Sequence, residues 1–269
     1  MKIGNRFFDT QNHTYIMGIL NITPDSFSDG SKWNHLDEAL RHTEAMIADG
    51  ADIIDIGGES TRPGHTPVSA DEEAQRVLPV IEAVRKRFDI PISVDTFKSS
   101  VAESSIQAGA NLVNDIWGLK YDSKMGAVIA KYDAACCLMH NKANTEYNNF
   151  LIDMLQETQE CVNLARKAGI KDEKIILDPG VGFGKTFEMN LETMKHLELF
   201  QNLGFPVLLG TSRKSMIGLA LDLPVDQRVE GTLATSVIGV MKGCSFVRVH
   251  DIKENKRVIQ MTEAILGCD

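Results

Sequence analysis

Eight short apolar runs, spaced along the whole chain with amphipathic stretches between them, are the feature that most limits its fold. Most of them are continuous rather than alternating in hydrophobicity, which is typical of strands covered on both faces of a parallel sheet. We predict strands at residues 16–20, 53–57, 92–95, 112–114, 135–139, 175–178, 207–210 and 246–249. Parallel strands need long crossover connections, and these are usually helices.

The segments between the predicted strands have helical periodicity and recognisable end signals. An apolar stripe over residues 36–47 is closed by Gly50, a residue typical of helix C-terminal caps. Ser69 and Glu72 have the spacing of a capping box at the start of the next helix, in which Pro79 predicts a kink or a later start. Further helices are predicted at residues 99–108, 146–167, 191–202, 228–242 and 254–266.

Eight strand–helix units in 269 residues predict an α/β fold, a (β/α)8 TIM barrel formed as a single domain over residues 1–269. The alternative is a doubly wound open sheet, which usually has fewer strands and one glycine-rich nucleotide-binding turn. Gly180, Gly182 and Gly184 resemble that turn only loosely, because their spacing and the preceding Asp178-Pro179 do not fit the dinucleotide fingerprint. The sequence also has no phosphate-binding P-loop, so the barrel is favoured.

Composition and charge restrict the partners and the compartment. A formal net charge of −9 argues against a nucleic-acid-binding surface, although a local cluster of Arg and Lys can still bind an anionic small molecule. No apolar stretch approaches the roughly 20 residues of a membrane span, and the first residues lack the apolar core of a signal peptide. Five cysteines without a C-x-x-C pair argue against disulfides and favour the cytoplasm.

Polar residues follow most of the predicted strands, and Asp178 has the most distinctive setting. It ends an apolar run and precedes a proline and three spaced glycines, a composition that brings backbone close to a ligand. A single polar residue after a strand is more often a helix cap or turn residue. In a barrel, however, the loops after the strands meet at one end, so these residues taken together predict one pocket. They are Asn21, residues 59–62, Asp95, Asn114, Asp115, His140, Asp178, residues 212–214, Arg248 and His250.

Seven segments resemble the dihydropteroate synthase family, in the family's order along the chain. The two longest are similar to its two signature sequences and lie at residues 17–30 (MGILNITPDSFSDG) and 54–64 (IDIGGESTRPG). The other five lie at residues 93–96, 114–116, 178–185, 210–215 and 248–250, so the resemblance covers nearly the whole chain. Ser31 and residues 141–144 (NKAN) depart from the family pattern.

The resemblance implies condensation of 6-hydroxymethyl-7,8-dihydropterin diphosphate with 4-aminobenzoate to give 7,8-dihydropteroate and pyrophosphate. It gives pterin-binding roles to Asp95, Asn114, Asp178 and Lys214. A pterin edge presents a ring N–H beside an exocyclic amine, and one carboxylate, that of Asp178, suits both donors. Asn114 can donate and accept at the neighbouring edge, Asp95 can accept from a further ring nitrogen, and Lys214 can donate to pterin acceptors.

The resemblance also implies a diphosphate site with Mg²⁺ as cofactor. The expected diphosphate ligands are Thr61, Arg62, Arg248 and His250. Magnesium suits a site made of diphosphate oxygens, waters and one protein oxygen, which would be that of Asn21. Asp95, Lys214 and Arg248 are then the expected catalytic residues of an SN1-like path in which pyrophosphate leaves before the amine attacks.

A pocket for 4-aminobenzoate, and for sulfonamides resembling it, is the third implied site. Its expected residues are Phe27, Thr61, Arg62, Pro63, Phe183, Ser212 and Lys214. Several of these lie in residues 21–34 and 59–69, two long polar segments that we expect to act as lids. A homodimer is implied by the resemblance as well.

Two alternative functions remain open. A pterin-binding methyltransferase could share the barrel together with Asp95, Asn114 and Asp178, but it does not need the sequences at residues 60–63 (STRP) and 212–215 (SRKS). A non-catalytic pterin-binding paralogue would be expected to lose loop or cationic residues, which are intact here. Measuring pyrophosphate release with and without 4-aminobenzoate distinguishes the three functions.

Overall fold

Eight parallel strands form a closed ring in the computed structural model, which describes residues 1–22, 32–59 and 67–267. Seven of the eight neighbouring pairs form parallel ladders in chain order, including the last strand with the first, and the eighth pair is joined by a single bridge. The predicted (β/α)8 barrel is therefore confirmed. The strands are β3 (Tyr15–Asn21), β4 (Ile53–Gly57), β5 (Ile92–Asp95), β6 (Leu112–Asp115), β7 (Ala135–Met139), β8 (Ile175–Asp178), β9 (Leu208–Leu209) and β10 (Phe246–Val249).

The ring is completed between β8 and β9, where the pairing is shortest. Strand β9 has two residues rather than the four predicted at 207–210. A single parallel bridge joins Leu177 to Val207, and the Leu177 N–H donates to the Pro206 carbonyl at 2.9 Å. Pairing of β9 with β10 ends at Leu209.

Strand residues alternate between two hydrophobic layers, as the pleat requires. Outward-facing residues such as Ile54, Val94 and Leu138 pack under the helices, where most of the core lies. Inward-facing residues near the amino ends of the strands form a second cluster inside the barrel. A hairpin of β1 (Lys2–Ile3) and β2 (Arg6–Phe7), not predicted from the sequence, adds Ile3 and Phe8 to that cluster and closes the amino end.

Ten helices occur in the described part of the chain. They are α1 (Lys32–Ala48), α2 (Ala70–Arg87), α3 (Ser99–Ala108), α4 (Met125–Lys131), α5 (Phe150–Ala168), α6 (Phe187–Lys195), α7 (Glu198–Gln201), α8 (Ser215–Leu221), α9 (Val229–Met241) and α10 (Ile252–Leu266). None of these helices is both long enough and apolar enough to cross a membrane.

The helix boundaries follow their capping residues. Ser69 Oγ accepts from the Glu72 N–H at 3.2 Å and starts α2, which continues through Pro79, so the predicted later start was wrong. Asn149 and Thr186 cap α5 and α6, so α5 begins after the predicted residue 146 and α6 before the predicted residue 191. The short helices α4 and α8 were not predicted; neither has a side-chain cap.

Candidate active site

A ring of polar side chains lies at the carboxyl end of the barrel, one inward position above the apolar layer. On β4, Ile53 faces inward below Asp55, and on β6, Leu112 lies below Asn114 in the same way. The same step from apolar to polar recurs on β8 and β10. The ring consists of Asp55, Asp95, Asn114, Asp178 and Arg248, with Lys214 reaching in from the start of α8.

Arg248, on β10, forms hydrogen bonds to side chains of β4 and β5 on one side of this ring. Its Nε donates to Asp55 Oδ2 at 2.6 Å, and its Nη2 donates to Asp95 Oδ2 at 2.7 Å. Asn114 Nδ2 lies 3.4 Å from the same Asp55 oxygen. The other oxygen of each carboxylate, Oδ1 of Asp55 and of Asp95, is buried and has no hydrogen-bond partner among the described residues. An unpaired buried acceptor is costly, so these two oxygens indicate a ligand that donates hydrogen bonds.

Burial changes the acidity of these groups. It raises the pKa of Asp95 to about 7, with Arg248 opposing the change and Asp55 adding to it. Burial by itself would lower the pKa of Arg248, but Asp55 and Asp95 hold it above its ordinary value. Arg248 therefore stays charged, whereas Asp95 can exchange a proton near neutral pH.

Asp178 and Lys214 form the opposite side of the ring beside the glycine loop. Asp178 Oδ1 accepts from the Gly180 N–H at 2.7 Å, and Lys214 Nζ donates to the Val181 carbonyl and lies 4.6 Å from the centre of the Phe183 ring. Burial raises the pKa of Asp178, with Lys214 opposing it. Burial lowers the pKa of Lys214 to about 8, and Asp178 opposes that change. The pair is thus a charge pair of a buried carboxylate and a half-buried ammonium at the carboxyl end of the barrel.

Ser212 and His250 lie together near Arg248, at the end of β10. Ser212 Oγ is 2.9 Å from His250 Nδ1 and accepts from the His250 N–H at 3.2 Å. Asn21 ends β3 and is exposed at the rim; its Oδ1 lies 3.7 Å from the position that a Cβ on Gly57 would occupy. Among the described residues, no group of three His, Cys, Asp or Glu side chains could hold a metal ion by itself.

Several predicted site residues fall outside the described residues. They are Phe27, Thr61, Arg62 and Pro63, together with Ser31 and most of the two expected lids. Glu59, the last described residue before the second of these segments, is buried and bonds to Lys98. Lys98 also bonds to the buried Glu73 on α2, so this end of β4 is held from two neighbouring elements.

Two residues with a part in the site were not given roles from the sequence. Asp55 lies within an apolar strand, where a carboxylate needs a charged or hydrogen-bonding partner. Its partner is Arg248, 193 positions further along the chain, so the sequence alone did not reveal the pair. Lys185 is half-buried behind the glycine loop, where loss of solvation lowers its pKa to about 7 and Asp178 opposes the change. The signal for Lys185 was its position directly after Gly184, at the end of the most distinctive segment of the chain.

The fold and the buried polar ring define a (β/α)8-barrel enzyme with a pocket for a small, polar, hydrogen-bonding ligand. The family model described as pterin binding enzyme matches residues 17–250. The chain is 61% identical to a dihydropteroate synthase of Clostridium beijerinckii over 99% of both sequences. It is 55% identical to a dihydropteroate synthase of Bacillus subtilis, over 94% of this chain and 89% of that protein.

Solved structures agree with these sequence comparisons. A crystal structure of a Clostridium difficile dihydropteroate synthase, determined in the presence of pteroic acid, matches with a TM-score of 0.94 and 52% identity, covering 96% of this chain and 99% of that one. A Yersinia pestis dihydropteroate synthase in complex with a sulfonamide drug matches with a TM-score of 0.93 and 42% identity, over 99% of both chains. The chain belongs to the pterin binding enzyme family, among its dihydropteroate synthases.

Proposed function

We propose that this chain condenses 6-hydroxymethyl-7,8-dihydropterin diphosphate with 4-aminobenzoate, forming 7,8-dihydropteroate and pyrophosphate. The observation that carries the proposal is the buried polar ring, in which Oδ1 of Asp95 has no hydrogen-bond partner among the described residues. A pterin is a flat heterocycle whose edge offers several N–H donors. It therefore supplies what these buried acceptors lack.

The ring suits the two edges of a pterin. Asp178 has one oxygen bonded to the Gly180 N–H, and its carboxylate can also receive the parallel donors of the ring N–H and the exocyclic amine. Asn114 can donate and accept beside it, and Asp95 can accept from a further ring nitrogen. Lys214, which is half-buried near Asp178, can donate to the acceptor atoms of the pterin and balances the charge of the carboxylate.

Cationic residues near Arg248 suit the diphosphate. Arg248 and His250 lie at the end of β10, and Thr61 and Arg62 would complete the group. Mg²⁺ fits this donor set, because Asn21 offers a single neutral oxygen at the rim and the described residues hold no acidic cage that would bind a metal alone. When bound, the ion would neutralise charge that develops on the departing pyrophosphate.

We favour an SN1-like order of events for the condensation. The bond between the pterin methylene carbon and the diphosphate oxygen breaks first, and its electron pair leaves with pyrophosphate beside Arg248. Asp95, which contacts Arg248 and would lie near the pterin ring, stabilises the resulting pterin cation. The amine nitrogen of 4-aminobenzoate then bonds to the carbon through its lone pair and passes a proton to water or to the departed pyrophosphate. Lys214 holds the pterin throughout.

The second substrate would bind above the pterin against Phe183. This ring packs with a small apolar cluster of Phe97, Ile116 and Met139 and lies against Lys214 Nζ. It can stack on the aromatic ring of 4-aminobenzoate, while the ammonium of Lys214 lies close enough to attract its carboxylate. Ser212, Phe27, Thr61, Arg62 and Pro63 would form the rest of this pocket.

A homodimer formed through helices α6, α8 and α9 is also proposed. These helices contact one another and carry exposed apolar side chains, which include Leu191, Leu219 (66% exposed) and Met241 (62% exposed). A second copy could cover them. Light scattering should show a dimer that Leu219→Lys dissociates, whereas the control Phe7→Lys, on the exposed hairpin at the other end of the barrel, should leave it intact.

We further propose that the protein works in the cytoplasm. The described cysteines, Cys136, Cys137, Cys161 and Cys244, are all free and buried. Free thiols without disulfides are usual in a reducing compartment. Fractionation of cells that produce the protein would test this, and recovery outside the cytoplasm would contradict it.

Pyrophosphate release tests the proposed condensation directly. Release from the pterin diphosphate that depends on 4-aminobenzoate, with one dihydropteroate formed per pyrophosphate, is the expected result. Folded protein that binds the pterin but releases no pyrophosphate would instead support a non-catalytic paralogue. Methyl transfer to a corrinoid protein without pyrophosphate release would support a methyltransferase.

A further inference from the structure

Lys185 makes three hydrogen bonds at the back of the glycine loop, outside the polar ring. Its Nζ lies 3.0 Å from the Gly180 carbonyl oxygen, 3.1 Å from the Phe183 carbonyl oxygen and 2.9 Å from His140 Nδ1. The three acceptors match the three N–H donors of an ammonium group, so this geometry favours the charged form of Lys185 although loss of solvation lowers its pKa to about 7. Two of them belong to the loop whose Phe183 side chain faces the pocket.

His140 is held in the one neutral form that can accept from Lys185. Its Nε2 lies 2.9 Å from Glu157 Oε2 on α5, so Nε2 carries the proton and Nδ1 is left as the acceptor. Burial, assisted by Lys185 and other nearby lysines, lowers the pKa of His140 to about 2 and keeps the ring neutral. Lys185, His140 and Glu157 thus form a chain from the glycine loop to helix α5, which we call the Lys185 chain.

The glycine loop is bonded to its surroundings at several points, and the Gly182 N–H, next to Phe183, donates to Asn190 Oδ1 at 2.6 Å. A Cβ on Gly180, whose φ is +67°, would lie 1.9 Å from the His140 carbonyl oxygen, so the loop touches β7's end there. At the other end, the Tyr147 hydroxyl donates to the Gly184 carbonyl at 2.7 Å. Between these points, the Phe183 backbone is bonded through its N–H to Gly180 and through its carbonyl to Lys185.

We infer that Lys185 is a positioning residue for the second substrate, and that it acts by holding the Phe183 backbone so that the ring faces Lys214. Lys185 touches neither substrate in this arrangement. Its loss should let the Phe183 ring leave its place, while Asp178 keeps its bond to Gly180, which the contact with His140 still fixes. Binding of 4-aminobenzoate should therefore suffer more than binding of the pterin diphosphate. This inference rests on the proposed condensation.

Steady-state kinetics of Lys185→Met provide the test, because methionine keeps the length of the side chain and removes the ammonium. Loss of hydrogen bonds from a charged donor predicts a rise in KM for 4-aminobenzoate of about tenfold or more, with KM for the pterin diphosphate changed by less than about threefold. The matched control is Lys120→Met. Lys120 is another lysine whose charge acts on His140, but its Nζ donates to the Glu157 carbonyl at 3.1 Å and to Glu160 Oε2 at 2.9 Å rather than to the loop. Its removal should leave both KM values within about twofold of wild type.

Substitutions at Glu157 keep the inference testable if Lys185→Met does not fold. Glu157→Leu removes the acceptor that orients His140 and should raise KM for 4-aminobenzoate in the same selective way. Glu157→Gln keeps an acceptor oxygen and should restore the wild-type value. An unchanged KM for 4-aminobenzoate in folded Lys185→Met and Glu157→Leu, or an equal rise for both substrates, would overturn the inference. A wild-type protein without condensation activity would instead refute the proposed function.

Discussion

Replacing Asp178 by asparagine should weaken pterin binding while the barrel stays folded. Asp178 is buried at the end of β8, where Oδ1 already accepts from the Gly180 N–H at 2.7 Å. An asparagine can keep that bond through its single carbonyl oxygen. Its NH₂ group then faces one of the two parallel donors of the pterin. The hydrogen bond that this pterin donor makes to the carboxylate in the wild type is lost, because two donors cannot bond to each other. The charge that balances Lys214 is removed as well.

The size of the loss follows from the number of bonds affected. One hydrogen bond to a charged group contributes about 1.5–3 kcal/mol, which corresponds to roughly 10- to 150-fold in Kd. Calorimetric titration of 6-hydroxymethylpterin, which lacks the diphosphate, measures this contribution alone. A loss within that range is expected for Asp178→Asn.

Asp115→Asn is the matched control for this measurement. Asp115 is an equally buried carboxylate at the end of β6, but its oxygens accept from the Trp117 N–H at 2.9 Å and the Leu119 N–H at 2.8 Å, and neither contacts the polar ring. Its replacement should cost about 1–3 kcal/mol of unfolding free energy with pterin affinity retained. If folded Asp178→Asn binds the pterin as tightly as wild type, or if both variants lose affinity equally, the assignment of Asp178 to the pterin edge is wrong.

Three further experiments examine other parts of the site. The first uses Arg248→Ala, His250→Ala and chelation of Mg²⁺. Each should impair use of the pterin diphosphate far more than binding of 6-hydroxymethylpterin. Equal losses for both ligands would show that these groups do not bind the diphosphate end of the substrate. Since burial raises the pKa of Asp95 to about 7, its carboxyl is protonated below that pH, so pterin affinity should increase as pH rises through about 7. Calorimetry at several pH values should find this increase absent in Asp95→Asn, in which the decrease caused by deprotonation of Lys214 near pH 8 remains. Finally, 4-aminobenzoate should bind tightly only with pyrophosphate and Mg²⁺ present, because a small monoanion makes few charge-assisted contacts, whereas fixing chain around a ligand costs roughly 1–2 kcal/mol per residue. Equally tight binding to the protein alone would contradict this expectation.

The barrel could be predicted from the sequence because its strands carry their own signal. Strands such as Ala135–Met139 and Ile175–Asp178 carry apolar residues on both faces, and their observed bounds agree with those predicted. The short helix α8 carried no comparable signal, since Lys214 precedes it without a side-chain cap. The two-residue strand β9 depends on pairing with β10 and on the bridge from Leu177, which are contacts between distant parts of the chain.

The inward-facing polar residues could be foreseen for a similar reason. A polar residue at an inward-facing position near the end of a barrel strand enters the pocket, and Asp95, Asn114 and Asp178 follow that rule. The prediction was wrong for Asp115 and His140, which bond outside the polar ring, to the Trp117 and Leu119 N–H groups and to Glu157 and Lys185 respectively. Asp55 and Lys185 could not be assigned in the same way. Each acts through a partner brought close only by folding: Arg248 from β10 for Asp55, and His140 from the end of β7 for Lys185.

Taken as a set of charges, the ring explains why a site of this kind binds its ligand selectively. Three carboxylates, from Asp55, Asp95 and Asp178, face two cations, Arg248 and Lys214, in a space largely shielded from water. An excess negative charge is therefore buried, and burial already raises the pKa of Asp95 and Asp178. A neutral heterocycle with several N–H donors relieves this cost without adding charge. An analogue that lacks one donor leaves a buried acceptor unpaired, so shape alone is insufficient for binding.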